Sequence, residues 1–175
     1  MIGGVPCPAG IGTGMDRQSA QLASFRSCTY QIYLAARYSR RKELCSYKAD
    51  LEARCHTVPA RWLTGAHQVS DAELADHETV PTEKARLFAA EDLEDILAAN
   101  MLIAFTEEPR LVQSRGGRHV ELGIGIGLRR ARPAPVPKLF VVGPTENVFC
   151  ALDDIDGIFG SWDELLADMD VGRCD

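Results

Sequence analysis

The segment RGGRHVELGIGIGL, residues 115–128, holds a single carboxylate, Glu121, among glycines and basic residues. Two periods fit it. Val120, Leu122, Ile124, Ile126 and Leu128 alternate with Glu121, Gly123, Gly125 and Gly127, as on a half-buried strand, which would leave Glu121 a solvated charge. At steps of three and four, Val120, Gly123, Ile124, Gly127 and Leu128 instead form one stripe of a helix, and Glu121 then stands one turn after a diglycine entrance. A carboxylate there can serve as a nucleophile or simply complement the helix dipole. Elsewhere the chain offers a basic cluster in AARYSRR, with Arg37, Ser39, Arg40 and Arg41, further donors at Ser114 and Arg115, and an amide, Asn147, in PTENVF.

Those segments can act together only if the elements between them bring them to one place. TYQIYLA, 29–35, is a compact β-rich run, and SRRKELCSYKADLEAR, 39–54, follows with helical spacing. CHTVPARW, 55–62, is a second strand candidate weakened by Pro59, and a long polar loop through His67 and His77 comes next. TEKARLFAAEDLEDILAAN, 82–100, places Leu87, Phe88, Leu93, Ile96 and Leu97 on an apolar helical stripe. MLIAFT, KLFVVG and GIFG read as strands, and Ser161 three residues before Glu164 is a capping box opening SWDELLADM. Strand and helix alternate, which predicts an α/β domain, doubly wound and flavodoxin-like, with a mostly parallel five-stranded sheet and helices on both faces.

The glycine-rich segment occupies a helix slot in that alternation, so the helical reading prevails. Each interior glycine costs a helix about 1 kcal/mol relative to alanine, and an offset is required. Gly123 and Gly127, one turn apart, are expected to let another backbone or a flat ligand come close, the plainer version being tight packing on the sheet or on a partner subunit. Ligands of open parallel sheets bind beyond the carboxyl ends of the strands, where the loops after Ala35, Thr106 and Gly143 should meet.

The totals exclude several classes. Nineteen basic against twenty-five acidic residues leave the 175-residue chain at −6, the wrong sign for a footprint on a nucleic-acid polymer, although a single nucleotide could use a local basic pocket. No apolar run approaches the roughly 20 residues of a membrane span. Six scattered cysteines show no zinc spacing, so no metal is expected, and reduced thiols in a cytoplasm are. Residues 1–28 read as a disordered tail whose GIGTG lacks the strand and helix that a phosphate loop requires; residues 29–175 form the expected domain.

IYLAARYSRR, AEDLEDI, GGRHVELG and GPTENVF, in that order, resemble the nucleoside 2-deoxyribosyltransferase family, which includes the 2'-deoxynucleoside 5'-phosphate N-hydrolases. The resemblance covers about residues 31–169. It implies cleavage of an N-glycosidic bond with Glu121 as nucleophile, Asp92 handling the base and Tyr33 orienting Glu121, through a covalent sugar–enzyme ester resolved by a second base or by water. It implies no cofactor. Gly117 falls in the nucleophile motif, Trp62 and His67 are candidates to line the base pocket, and Asp95 reads as surface. Asn147 resembles a residue that a neighbouring subunit contributes in family dimers, which implies a homodimer or higher homo-oligomer.

The chain departs from the family's nucleoside-specific pattern at one place. Six residues before Glu121, where nucleoside-specific transferases carry an aspartate, stands Arg115 beside Ser114. With Arg37, Ser39, Arg40 and Arg41 these donors could hold a 5'-phosphate, or they could form a solvated basic patch. The substrate expectation is therefore a deoxynucleoside or its 5'-monophosphate. A glycohydrolase acting on NAD and a non-catalytic nucleotide-binding sensor are the alternatives.

Overall fold

A computed structural model describes residues 29–65, 67, 82–108, 116–131, 133, 135 and 137–171. The expected tail, His77, Ser114 and Arg115 lie outside the described residues. The ordered elements are β1 (Ile32–Ala35), α1 (Arg41–Ala53), α2 (Glu83–Ala98), β2 (Met101–Phe105), α3 (Gly117–Ala131), β3 (Lys138–Val142), β4 (Gly157–Phe159) and α4 (Trp162–Val171). Short 3-10 turns cover Tyr38–Arg40, Arg61–Leu63 and Val148–Ala151.

The four strands form one parallel sheet in the order β1-β2-β3-β4, with Ile32 opposite Met101, Met101 opposite Lys138 and Phe140 opposite Gly157. IYLA and MLIAF are buried at every position, and β3 is buried after Lys138. Such unbroken apolar runs are what a sheet covered by helices requires. Tyr33, Leu102 and Leu139 stand in register across the sheet, and Gly125 of α3 sits over two of them. Phe105, Tyr47 and Trp162 form a separate ring cluster that ties β2 to α1 and α4, with Tyr47 and Trp162 stacked at 4.4 Å.

The expected fifth strand at 55–62 reduces to one bridge, Gln31 to Thr57. Ile32 N–H donates to the Thr57 carbonyl at 2.8 Å, and Thr57 N–H donates to Tyr30 at 2.9 Å. Pairing stops there for local reasons. Cys55 enters with φ of 64°, Pro59 has no N–H to donate, and the Arg61 N–H is taken by Asp95 at 2.7 Å as the chain turns into a 3-10 helix.

Two other expectations change. On α2 only Ile96 of the predicted apolar stripe is buried, while Leu87, Leu93 and Leu97 are exposed and Asp95 is buried. Asp95 is drawn in by Arg61, whose backbone N–H and Nε both donate to it. On α3 the buried side is Arg118, Leu122, Gly125 and Ile126, so the glycine in close contact is Gly125. A Cβ there would lie 3.0 Å from Leu139 and 3.3 Å from Leu102, whereas Gly123 and Gly127 have no neighbour within 4 Å of that position. Half of the capping box at Ser161 is present, with Ser161 Oγ accepting from Glu164 N–H, while the Glu164 carboxylate accepts from the Gly160 N–H, one residue before the cap.

Candidate active site

Tyr33 projects from the middle of β1, fully buried, and donates its hydroxyl to Glu121 Oε1 at 3.0 Å. Glu121 lies in the second turn of α3, on the side of that helix which meets the sheet. Part of the residue reaches solvent, yet its other carboxylate oxygen, Oε2, is buried with no protein partner. Asp92 of α2 presents a buried, unpartnered Oδ1, and so does His67 at Nδ1. Three such atoms matter because a buried polar atom without a partner costs about 1–3 kcal/mol, and a bound ligand's hydrogen bonds would remove that cost.

Burial sets the proton affinities of this group. Glu121 is pushed up to about 8, chiefly by desolvation and then by the charge of Asp92, while the Tyr33 hydrogen bond and Arg118 oppose the rise. Asp92 is pushed up to about 6, again chiefly by desolvation, with His67 opposing. Burial and the charges of Glu121 and Asp92 hold the Tyr33 hydroxyl protonated, so it acts as a fixed donor. Two carboxyl groups whose affinities differ, beside one permanent donor, can divide the labour of a nucleophile and an acid.

His67 is held by Glu91, whose Oε2 lies 2.7 Å from its Nε2, and its ring stacks on Phe88 at 4.4 Å. Gly65 makes room for it, since a Cβ there would approach the imidazole Nδ1 to 2.5 Å. Glu91 also lies near Arg61, which binds Asp95 and Glu94, so the loop carrying Trp62 and His67 is pinned to α2. Trp62 is buried in the core, and its indole N–H donates to the Leu34 carbonyl at 3.0 Å.

The basic cluster is engaged within the protein. Arg37 pairs with Glu107 at 2.9 Å, Arg40 forks onto Glu43, and Arg41 binds the Tyr38 hydroxyl and the Gly65 carbonyl. Ser39 is exposed. Gly117 opens α3 directly after Gly116, whose φ of +77° only glycine adopts freely. Asn147 caps its own 3-10 turn through Phe149 N–H and turns its amide nitrogen to His119 Nδ1 at 3.1 Å.

The ends of β2 and β3 are drawn together at Gly143, where a Cβ would lie 2.7 Å from Thr106 Oγ1. Just beyond, Glu146 accepts from Arg118 through both Nε and Nη2 and from the Glu107 N–H. Arg118 stands in GGRHVELG and Glu146 in GPTENVF, but neither motif marks the two as partners, because they lie 28 positions apart. Among the described residues no group of three or more His, Cys, Asp or Glu is placed to hold a metal ion, and no helix is long and apolar enough to cross a membrane. Neither a scan of protein-family models nor a search of curated proteins returns a match to the chain.

Proposed function

We propose that the protein cleaves the N-glycosidic bond of a 2'-deoxynucleoside or its 5'-monophosphate, through a covalent deoxyribosyl ester on Glu121. The observation that carries this reading is the Tyr33–Glu121 hydrogen bond, with a free carboxylate oxygen on Glu121 and a second free carboxyl oxygen on Asp92. In retaining glycosyl transfer one carboxylate attacks the anomeric carbon while a second carboxyl group assists the leaving group. Here Oε2 of Glu121 would form a bond to C1' as the C1'–N bond breaks, and Asp92 would give its proton to the departing base. A second base or water would then displace the sugar from Glu121. Tyr33, neutral throughout, fixes the carboxylate and spreads its charge.

In the free protein the proton order runs the other way, because Glu121 at about 8 holds its proton more tightly than Asp92 at about 6, so the reaction requires substrate to shift the proton. Between about pH 6 and pH 8 Glu121 and Asp92 together hold one proton, and the productive arrangement places it on Asp92. Placing the base against Asp92 favours that arrangement, because the base nitrogen accepts from the acid. The same proposal takes the domain to be doubly wound and flavodoxin-like. The bridge on the far side of β1 from β2, and the separate contacts of α3 and of the Phe105 cluster with the sheet, support it. A cytoplasmic homo-oligomer completes the reading, and exposed Val120 and Leu87 offer apolar surface to a second copy.

The test is chromatography of deoxynucleosides, their monophosphates and NAD after incubation with the protein, with and without an added free base. Release of free base from a deoxynucleoside or its monophosphate is expected, together with a deoxyribosyl mass adduct on Glu121 after quenching. Turnover of NAD alone, or of nothing, would overturn the reading.

A further inference from the structure

Arg118 is the only buried arginine among the described residues, and it precedes Glu121 by three positions on the same helical face. Its guanidinium is gripped by the Glu146 carboxylate in a two-point fork. The carboxylate also accepts from the Glu107 N–H at the exit of β2, and His119 Nε2 lies 3.5 Å from it. Glu146 itself stands at the exit of β3. One side chain therefore ties α3 and the exit of β2 to its own place after β3, and among the described residues none of its contacts is with the groups that would meet substrate.

We propose that Glu146 is a positioning residue for Glu121: it clamps the first turn of α3 to the ends of β2 and β3, and it neutralises the buried cation of Arg118 one turn from the nucleophile. The inference rests on the assignment of Glu121 as the reacting group. A buried fork of this kind holds its partners in one geometry, because both hydrogen bonds break if the helix end shifts. Charge balance is the second half of the role. Glu121 faces Tyr33 from β1, Asp92 from α2 and Arg118 from its own helix, while Asp95 acts on Tyr33. Among the described residues Arg118 is the only cation in that set, and its pairing with Glu146 reduces the charge that Glu121 feels. An unbalanced guanidinium would make Glu121 a weaker base and a poorer nucleophile.

The test uses the full chain labelled with carboxyl-13C glutamate, with the Glu121 signal identified by its loss in Glu121→Gln. In Glu146→Gln the titration midpoint of Glu121 is expected to fall by about one pH unit, the scale of an opposite charge at close range. Its kcat for base release should fall by about tenfold with KM little changed, as for a misplaced reacting group. Glu146→Asp keeps the charge and shortens the reach, so kcat should fall while the midpoint stays. Glu146→Gln combined with Arg118→Met should return the midpoint to the wild-type value. A wild-type midpoint in Glu146→Gln, or wild-type kcat in Glu146→Asp, would overturn the proposal. Absence of base release from the wild type would refute the glycosidic reading, and the midpoint, read without turnover, would still decide the charge-balancing role.

Discussion

Replacing Glu121 by glutamine should abolish activity, and its effect on stability should become steadily more favourable as pH rises. The carboxyl group rises from an ordinary value of 4.5 to about 8 in the fold. Between those values the folded chain retains a proton that the unfolded chain releases, so wild-type stability falls as pH rises, and the loss is complete above about 8. At about 1.4 kcal/mol per unit, full ionisation costs the wild type about 5 kcal/mol, and only about 1 kcal/mol of that is present at pH 5.5. Glutamine never ionises. It keeps the acceptor for Tyr33 but buries an amide N–H2 where Oε2 stands, a cost of about 1–3 kcal/mol that is the same at every pH. The informative quantity is therefore the change in the mutant-minus-wild-type difference, about 3 kcal/mol between pH 5.5 and pH 8.5. For a chain of this length that is roughly 6–12 °C in Tm. Thermal melts of both proteins across that range measure it. Parallel Tm curves would show that Glu121 does not ionise against burial, and wild-type base release by the glutamine variant would place the nucleophile elsewhere.

Tyr33→Phe removes the donor to Oε1 while keeping the buried ring, so kcat should fall about tenfold or more and the Glu121 midpoint should move up; equal activity across a pH titration would deny the hydroxyl a role. The pH profile of kcat/KM should be a bell with limbs near 6 and 8, since base release needs one proton on the carboxyl pair, and Asp92→Asn should remove the alkaline limb. A profile flat from pH 5 to 9 would contradict this. Gly125→Ala should destabilise by about 1–3 kcal/mol through overpacking on Leu139 and Leu102, whereas Gly123→Ala and Gly127→Ala should each stabilise α3 by up to about 1 kcal/mol; denaturant midpoints separate the two outcomes.

Much of this arrangement is legible along the chain. Continuous apolar runs mark β2 and β3, and the place of residues 117–131 between two of them identifies a helix despite its glycines. Tyr33 and Glu121 are found from ordered motifs, and the fold brings them within a hydrogen bond across 88 positions. What escapes a reading by period is decided by single long-range polar contacts. Asp95 resembles a surface acid until Arg61, 34 positions earlier, pulls it inward and rotates the apolar stripe of α2 toward solvent. Gly125 is indistinguishable from Gly123 and Gly127 until Leu139 and Leu102 lie against it. Glu146 and Arg118 belong to the same class, since neither side chain reveals its partner locally.

The strand pairings also bear on when the site comes into being. Contacts between β3 and β4 join residues as near as Leu139 and Asp156, 17 positions apart, and the β2–β3 end is closed by Thr106 and Val142, 36 apart. Docking of β1 joins Gln31 to Asn100, 69 apart. Loop-closure entropy grows with separation, so the carboxyl-terminal strands are the natural nucleus and β1 is expected to dock late. Tyr33 rides on β1, and until that strand is seated Glu121 has no fixed donor. Conservative substitutions at Leu34 should then speed unfolding while barely slowing folding, and at Leu139 the reverse; folding kinetics that gave Leu34 the larger effect on the folding rate would place β1 in the nucleus.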